Sequence, residues 1–469
     1  MNPTQRQQVR DNAKYLRQVR PIDPDEIAEY VEGTPHPAAV RQVLRESATE
    51  LALLERRDGA FEPVPGGPIE VEFDGVDRLP AAIERKVIDL LAEEYGPGWP
   101  DGETGARLRA AIREFKQRYF AGQPVTYDTD TAFGYAIYHL PPYYAAAQYV
   151  LAELAAADLL DHHLRVLDVG AGVGGPALGL AHLLPDDALV EYHAVEPSAA
   201  TEILRPLLAE TGRNVHTTVH EEPIEEFDIG TYDLVLCANV LSELDDAVSV
   251  LSDLFGALAA DGTLLALAPA DRYTATHLRR VERALEREVG ATVYAPTVRL
   301  WPGETPDSEC WSFDRKGDIA VPDVQRRLAE GRGPDTGDVA EFLNVDVQYA
   351  YSVLRPDDRT ALSFTPSRSR YAKLADSPDN VTERIDCVAV KLSHNLAESG
   401  HPLFLVGDGS EPADHFAVLT DPSALNGDLE RAGYGDLLSF ENVLVLWNDD
   451  EGAYNLVVEG ETVVDRFPA

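Results

Sequence analysis

The segment Val166-Leu167-Asp168-Val169-Gly170-Ala171-Gly172-Val173-Gly174-Gly175 constrains the chain more than any other. An apolar run carries an aspartate near its end, and glycines spaced by single residues then open a helical pattern. Glycines at this point let backbone amides approach a ligand with no Cβ in the way. Such a strand–turn–helix belongs at the carboxyl edge of a parallel sheet, where α/β folds place ligands. The letters Gly170-x-Gly172-x-x-Gly175 also satisfy the dinucleotide fingerprint. Asp168 separates the two readings. Dinucleotide folds usually carry an apolar residue there, so that a pyrophosphate can approach. S-adenosylmethionine has no phosphate, and its α-amino group suits a nearby carboxylate. The loop therefore reads as an S-adenosylmethionine site built from Asp168, Gly170, Gly172 and Gly174. A dinucleotide loop or a purely structural turn are the alternatives.

Further along, Tyr192-His193-Ala194-Val195-Glu196-Pro197-Ser198 ends a second strand pattern on an acid. Glu196 at that position can accept two hydrogen bonds from ribose hydroxyls. A third apolar run, Tyr232 to Ala238, delivers Asn239, Ser242 and Glu243 to the same edge. Asn239 is assigned to the cofactor, with a helix cap as its structural alternative. The Asp/Asn-Pro-Pro-aromatic tetrad that grips an exocyclic base amine does not stand here, and no residue recommends itself as a general base. Cys237 lies within an apolar strand pattern and reads as a small core residue.

The net charge of −41 is spread along the whole chain, and only six lysines stand among 40 basic residues. This resembles proteins from cells with molar internal salt, where the Debye length falls to roughly 3 Å and self-repulsion is screened. The charge then reads as a halophilic solvent adaptation and does not exclude a nucleic-acid partner. Cys237, Cys310 and Cys387 form neither a metal spacing nor a disulfide framework. The first residues lack an apolar signal core and no run is long enough to span a membrane, so a cytoplasmic protein with no membrane partner is expected.

Three regions follow from the patterning. Residues 1–125 read as helical, and the order helix, helix, hairpin (turning at Asp58-Gly59) is the outline of a winged-helix module as well as of a plain helical cap. Residues 126–360 alternate strands and helices as βαβ units do. Residues 361–469 are β-rich, with short strands spaced as in a small OB-like barrel or a structural β-extension. Thr365 to Lys373 is basic and aromatic without an acid, so Arg368, Arg370, Tyr371 and Lys373 are candidate RNA contacts, a solvated loop being the other reading.

As an ordered set the motifs are more specific. Tyr135 with Leu140-Pro141, the Asp168 loop, Val195-Glu196-Pro197-Ser198, Val240-Leu241-Ser242-Glu243-Leu244, Trp311-Ser312-Phe313 and Tyr351-Ser352-Val353-Leu354-Arg355 occur in sequence. Over roughly residues 130–405 the chain resembles the methyltransferase-like assembly factors of the mitochondrial small ribosomal subunit and their prokaryotic relatives. The resemblance implies a seven-stranded class I S-adenosylmethionine-dependent methyltransferase fold. It also implies S-adenosylmethionine binding and association with small-subunit ribosomal RNA. It leaves open whether methyl transfer occurs; an active RNA methyltransferase and a small-molecule methyltransferase are the alternatives. Many relatives hold an iron–sulfur cluster on four cysteines after the fifth strand. Here Cys310 alone lies in that region, and one thiolate cannot hold a cluster that wants four, so no cluster and no metal are expected.

Overall fold

The computed structural model describes residues 1–334 and 337–467. They form two compact units, residues 1–234 with 318–345, and residues 235–317 with 346–469.

The first unit opens with helices Pro3–Leu16, Pro24–Tyr30, Pro37–Glu46 and Ala48–Leu51. Their starts are written in the chain: proline sits in the first turn of the first three, and Asn2 and Asp23 accept backbone N–H groups as caps. A short antiparallel hairpin follows, β1 (Leu53–Glu55) and β2 (Phe61–Pro63). Gly59 has φ +87° at its tip, a conformation that favours glycine. Val9, Ile22, Ile27, Val40, Leu44, Leu53 and Phe61 close this region's core. Two longer helices, Ala81–Tyr95 and Gly102–Phe120, are separated by Gly96 to Asp101, a stretch that buries Trp99. Arg109 is buried and donates to the carbonyls of Pro100 and Leu328 (3.2 and 2.9 Å).

Helices Thr129–Tyr138 and Leu140–Ala156 lead into the sheet of this unit. Strands β3 (His163–Val169), β4 (Leu189–Val195) and β5 (Val215–His220) run parallel in the order β5-β4-β3. Such strands are covered on both faces, and Leu164, Val166, Leu167 and Val169 of β3 are all buried. Strand β6 (Tyr232–Ala238) begins in this unit, where Asp233 accepts the Arg165 N–H at 2.7 Å.

In the second unit β6 ends beside β7 (Leu258–Pro269). Beyond β7, with β8 (Thr292–Ala295) and β9 (Asp314–Arg315), comes β10 (Gln348–Arg355). Strand β10 runs antiparallel to β7, β8 and β9. Helix Arg272–Glu288 packs Leu278, Val281 and Leu285 inward and carries the buried ion pair Arg279–Glu282. Glu282 is bonded by Arg279, Ser352 and Thr297, and Arg299 bridges Glu282 and Glu286. Burial opposes ionisation of Glu282, but the two arginines outweigh it and hold its carboxyl below the usual range.

The remaining strands are β11 (Arg384–Lys391), β12 (Leu403–Gly407), β13 (His415–Leu419), β14 (Leu437–Asn448), β15 (Ala453–Val458) and β16 (Val463–Arg466). Their order is β11-β12-β13-β15-β14-β16, and β11 pairs again with β14, closing a five-stranded barrel. Only the β13–β15 pair is parallel. That is the strand order of an OB barrel. Its interior is filled by residues including Cys387, Phe404, Leu438, Phe440 and Leu456. One outer face is also covered: Val388, Val390, Leu392 and Leu405 pack on Val298, Leu300, Trp301 and Tyr371. No helix among the described residues is long and apolar enough to cross a membrane.

Removing one partner of a buried charge set leaves the others uncompensated. Glu282→Ala is therefore expected to destabilise the second unit by about 3–5 kcal/mol. Trp301, Trp311 and Trp447 lie in that unit and report it by fluorescence in urea. An unchanged midpoint would refute the role given to this cluster.

Candidate functional site

The chain turns sharply where β3 ends. Gly170, Gly172 and Gly174 all have positive φ (+66°, +53° and +89°), a region L side chains rarely adopt. They are glycine for different steric reasons. A Cβ at Gly174 would meet Leu204 Cδ1 at 2.7 Å, so that position is closed by packing. At Gly172 a Cβ would point into open space, its nearest neighbour being the Gly170 carbonyl at 3.9 Å. The turn thus presents bare backbone outward at Gly172. Helix Gly175–Leu183 follows with no side-chain cap at Gly174. Its positive end suits a carboxylate.

Asp168 is the penultimate residue of β3 and is fully buried. The Tyr192 hydroxyl donates to its Oδ2 at 2.7 Å. Its Oδ1 is buried with no hydrogen-bond partner among the described residues. Burial pushes the Asp168 carboxyl up to about 7; the Tyr192 bond opposes the rise and the nearby Glu196 charge adds to it. A buried acceptor with no donor is costly unless something brings one. Glu196 follows the last residue of β4 and is also buried. Its Oε2 accepts the Gly172 N–H at 2.8 Å and its Oε1 the Ser198 N–H at 2.9 Å. Each oxygen keeps a second acceptor direction. The first unit therefore brings Asp168, Gly170, Gly172, Gly174 and Glu196 together at one sheet rim. An orphaned carboxylate oxygen beside an uncapped helix start matches the ammonium and carboxylate of an α-amino acid, and Glu196 matches a diol. These residues fit S-adenosylmethionine.

Tyr192 had no role in the sequence reading. Asp168 pairs with Ala194 across β3 and β4, so Tyr192, two residues before Ala194, lies on the same face. That register is the signal that identifies it, and a single strand does not contain it.

Asn239 belongs to the second unit. It has φ +59° and donates its N–H to the Leu267 carbonyl at 2.9 Å, marking a turn directly after β6. Ser242 and Glu243 are exposed, while Leu241 is buried. Cys237, Cys310 and Cys387 are all buried. Trp311-Ser312-Phe313 is tied into its surroundings: Trp311 Nε1 donates to the Ala270 carbonyl at 2.8 Å, and Ser312 Oγ lies 2.6 Å from the Tyr434 hydroxyl. Trp301 Nε1 donates to the buried Asp408 at 2.7 Å.

The four basic and aromatic residues of 365–373 do not form one exposed strip. Arg368 is exposed. Arg370 pairs with Glu441 at 3.1 Å and lies over the Tyr371 ring. Tyr371 is 6% exposed, packed in the barrel's covered face, so its ring is not presented to a base. Lys373 is also 6% exposed and is paired with Glu304. Burial of these two follows from the apolar and acidic residues that tertiary folding brings against them.

Residues 167–264 match the family model described as "Methyltransferase domain". Residues 6–57 and 375–467 match the N-terminal and C-terminal models of a domain of unknown function, DUF8157. No curated protein sequence matches the chain. Solved structures similar to it include the CcbJ methyltransferase from Streptomyces caelestis, at 26% identity over 27% of this chain and 49% of that one (TM-score 0.22). The chain thus spans about half the length of CcbJ. The magnesium protoporphyrin IX methyltransferase (ChlM) from Synechocystis PCC 6803 with bound SAM is 18% identical over 40% and 88% of the two chains (TM-score 0.27). A putative RNA methyltransferase, PH1948 from Pyrococcus horikoshii, is 21% identical over 32% and 68% (TM-score 0.26). The central segment is a class I methyltransferase domain.

Proposed function

We propose that this chain holds S-adenosylmethionine on Asp168, the Gly170–Gly174 turn and Glu196. In this reading it works as a methyltransferase-like protein of small ribosomal subunit assembly, acting through ribosomal RNA. The observation that carries the cofactor half is the buried Asp168 Oδ1 with no donor, next to a glycine turn open at Gly172. An α-ammonium supplies that donor and neutralises the carboxylate that burial disfavours. The cofactor, when bound, supplies an electrophilic methyl group on a sulfonium. What the protein contributes is alignment and exclusion of water. The ribosomal half is supported by the ordered motif set from Tyr135 to Arg355. For RNA, the exposed Arg368 and Arg370 are the residues of the basic tract that fit a phosphate contact.

Calorimetry in high salt is expected to give saturable binding of S-adenosylmethionine, abolished in Asp168→Ala. Affinity should be highest just above pH 7 and fall by up to about tenfold per pH unit below it, as Asp168 takes a proton. Binding that is flat from pH 5 to 8 would refute the Asp168–ammonium contact.

The linkage sign for the free protein is the reverse. The folded Asp168 binds its proton more tightly than the unfolded one, so its contribution to stability declines as pH rises from about 4 to about 7. Asp168→Asn, which keeps an acceptor for Tyr192, should therefore raise the melting temperature of the cofactor-free protein at pH 8 and change it little at pH 4. No gain at pH 8 would show that the buried charge is compensated by other means.

Copurification with small-subunit precursors is expected, and radiolabelled methyl transfer to those precursors distinguishes an active RNA methyltransferase from a cofactor-dependent assembly factor. Failure to associate with precursors, combined with methylation of a small molecule, would reverse the ribosomal reading.

A further inference from the structure

Beside the glycine turn lies an aromatic group that the cofactor contacts above do not use. Helices Thr129–Tyr138 and Leu140–Ala156 meet at His139, and the second of them runs directly against the start of the helix that follows the turn. A Cβ at Gly175 would meet Tyr143 Cβ at 3.1 Å, the Tyr144 N–H at 3.3 Å and the Leu140 carbonyl at 3.5 Å. Around this junction the His139 ring stacks on Tyr143 (5.0 Å between centroids, 23° between planes) and lies 4.8 Å from Tyr135 and 5.2 Å from Phe115. Tyr135, His139 and Tyr143 are half-buried.

Lys116 Nζ sits 4.7 Å over the Tyr138 ring and donates to its hydroxyl at 3.1 Å. The imidazole itself adds no charge: burial, with Lys116 assisting, pushes His139 down to about 3, so it is neutral at physiological pH. Its Nδ1 is buried without a hydrogen-bond partner among the described residues.

We propose that Tyr135, His139 and Tyr143 form an aromatic surface that recognises the positive sulfonium of S-adenosylmethionine and so favours it over S-adenosylhomocysteine. This deepens the cofactor reading above and rests on it. With the amino-acid end held at Asp168 and the Gly175 helix start, the sulfur is only a short alkyl chain away, and Tyr143 is the aromatic residue nearest that helix start. Aromatic faces attract such cations through their quadrupole, as in the cages that bind quaternary ammonium groups. S-adenosylhomocysteine lacks the charge but keeps the adenosine and amino-acid ends. Product would therefore be held less tightly than cofactor.

The test is calorimetry with both ligands on the full chain in molar KCl, which screens the general negative field of the protein. Wild type is expected to bind S-adenosylmethionine about tenfold more tightly than S-adenosylhomocysteine, the range open to a desolvated cation on aromatic rings. Tyr143→Leu should remove most of that preference by weakening S-adenosylmethionine alone, and Tyr143→Phe should retain it. Tyr135→Leu provides a second reading if Tyr143→Leu does not fold. Equal affinity of wild type for the two ligands, or an equal loss of both in Tyr143→Leu, overturns the proposal while leaving the cofactor site standing. Absence of binding by both ligands to wild type overturns the cofactor reading itself.

Discussion

The burial of the Asp168 carboxylate organises the rest of the site. A charge removed from water at the end of a central strand is unfavourable unless donors meet it. Tyr192 supplies one, from the neighbouring strand. The second oxygen has none among the described residues. The cost is tolerable because the β3 residues around it, Val166, Leu167 and Val169, are apolar and buried, so the sheet carries one unfavourable position at its rim. The same rim holds Glu196, whose carboxylate ties the glycine turn to β4 through the Gly172 N–H. The turn's shape and the site's charge thus depend on two acids, each placed by the end of a parallel strand.

A second constraint acts on the other unit. There the ionic cluster around Glu282 sits where an ordinary core would be apolar, and Asp408 accepts from Trp301, Leu374 and Ser410. Cys310 lies in this region as a buried thiol pushed up to about 12 by burial, with its N–H donated to Asp414 at 2.7 Å. Polar side chains bonded to one another hold these segments. The covered face of the barrel follows the same logic. Its outward apolar residues pack on Val298, Leu300 and Trp301, so that face of the barrel serves the architecture of its own unit.

Local physics made much of the fold readable from the chain. Pro at helix starts with Asn2 and Asp23 as caps, Asp58-Gly59 at a hairpin tip, and the break from Gly96 to Pro100 all act over a few residues. The apolar strand before Asp168, the glycines with positive φ, and the acid after β4 are likewise contiguous features. What resisted reading depended on register or on distant partners. Tyr192 meets Asp168 only because β3 and β4 are aligned as they are. Lys373 and Tyr371 look exposed in a basic tract, yet Glu304 and an apolar cluster bury them. The aromatic group at His139 draws Phe115 from one helix, Tyr135 from another and Tyr143 from a third.

The sequence by itself determined where strands end, where the backbone must take positive φ, and which acids stand at the sheet rim, because these follow from steric and hydrogen-bonding rules that operate between near neighbours. Tertiary structure alone decided which oxygen of Asp168 is left without a donor, which cations are neutralised, and which aromatic rings meet beside the glycine turn. Those outcomes depend on burial and on through-space contact between residues far apart in the chain, and no local pattern encodes either.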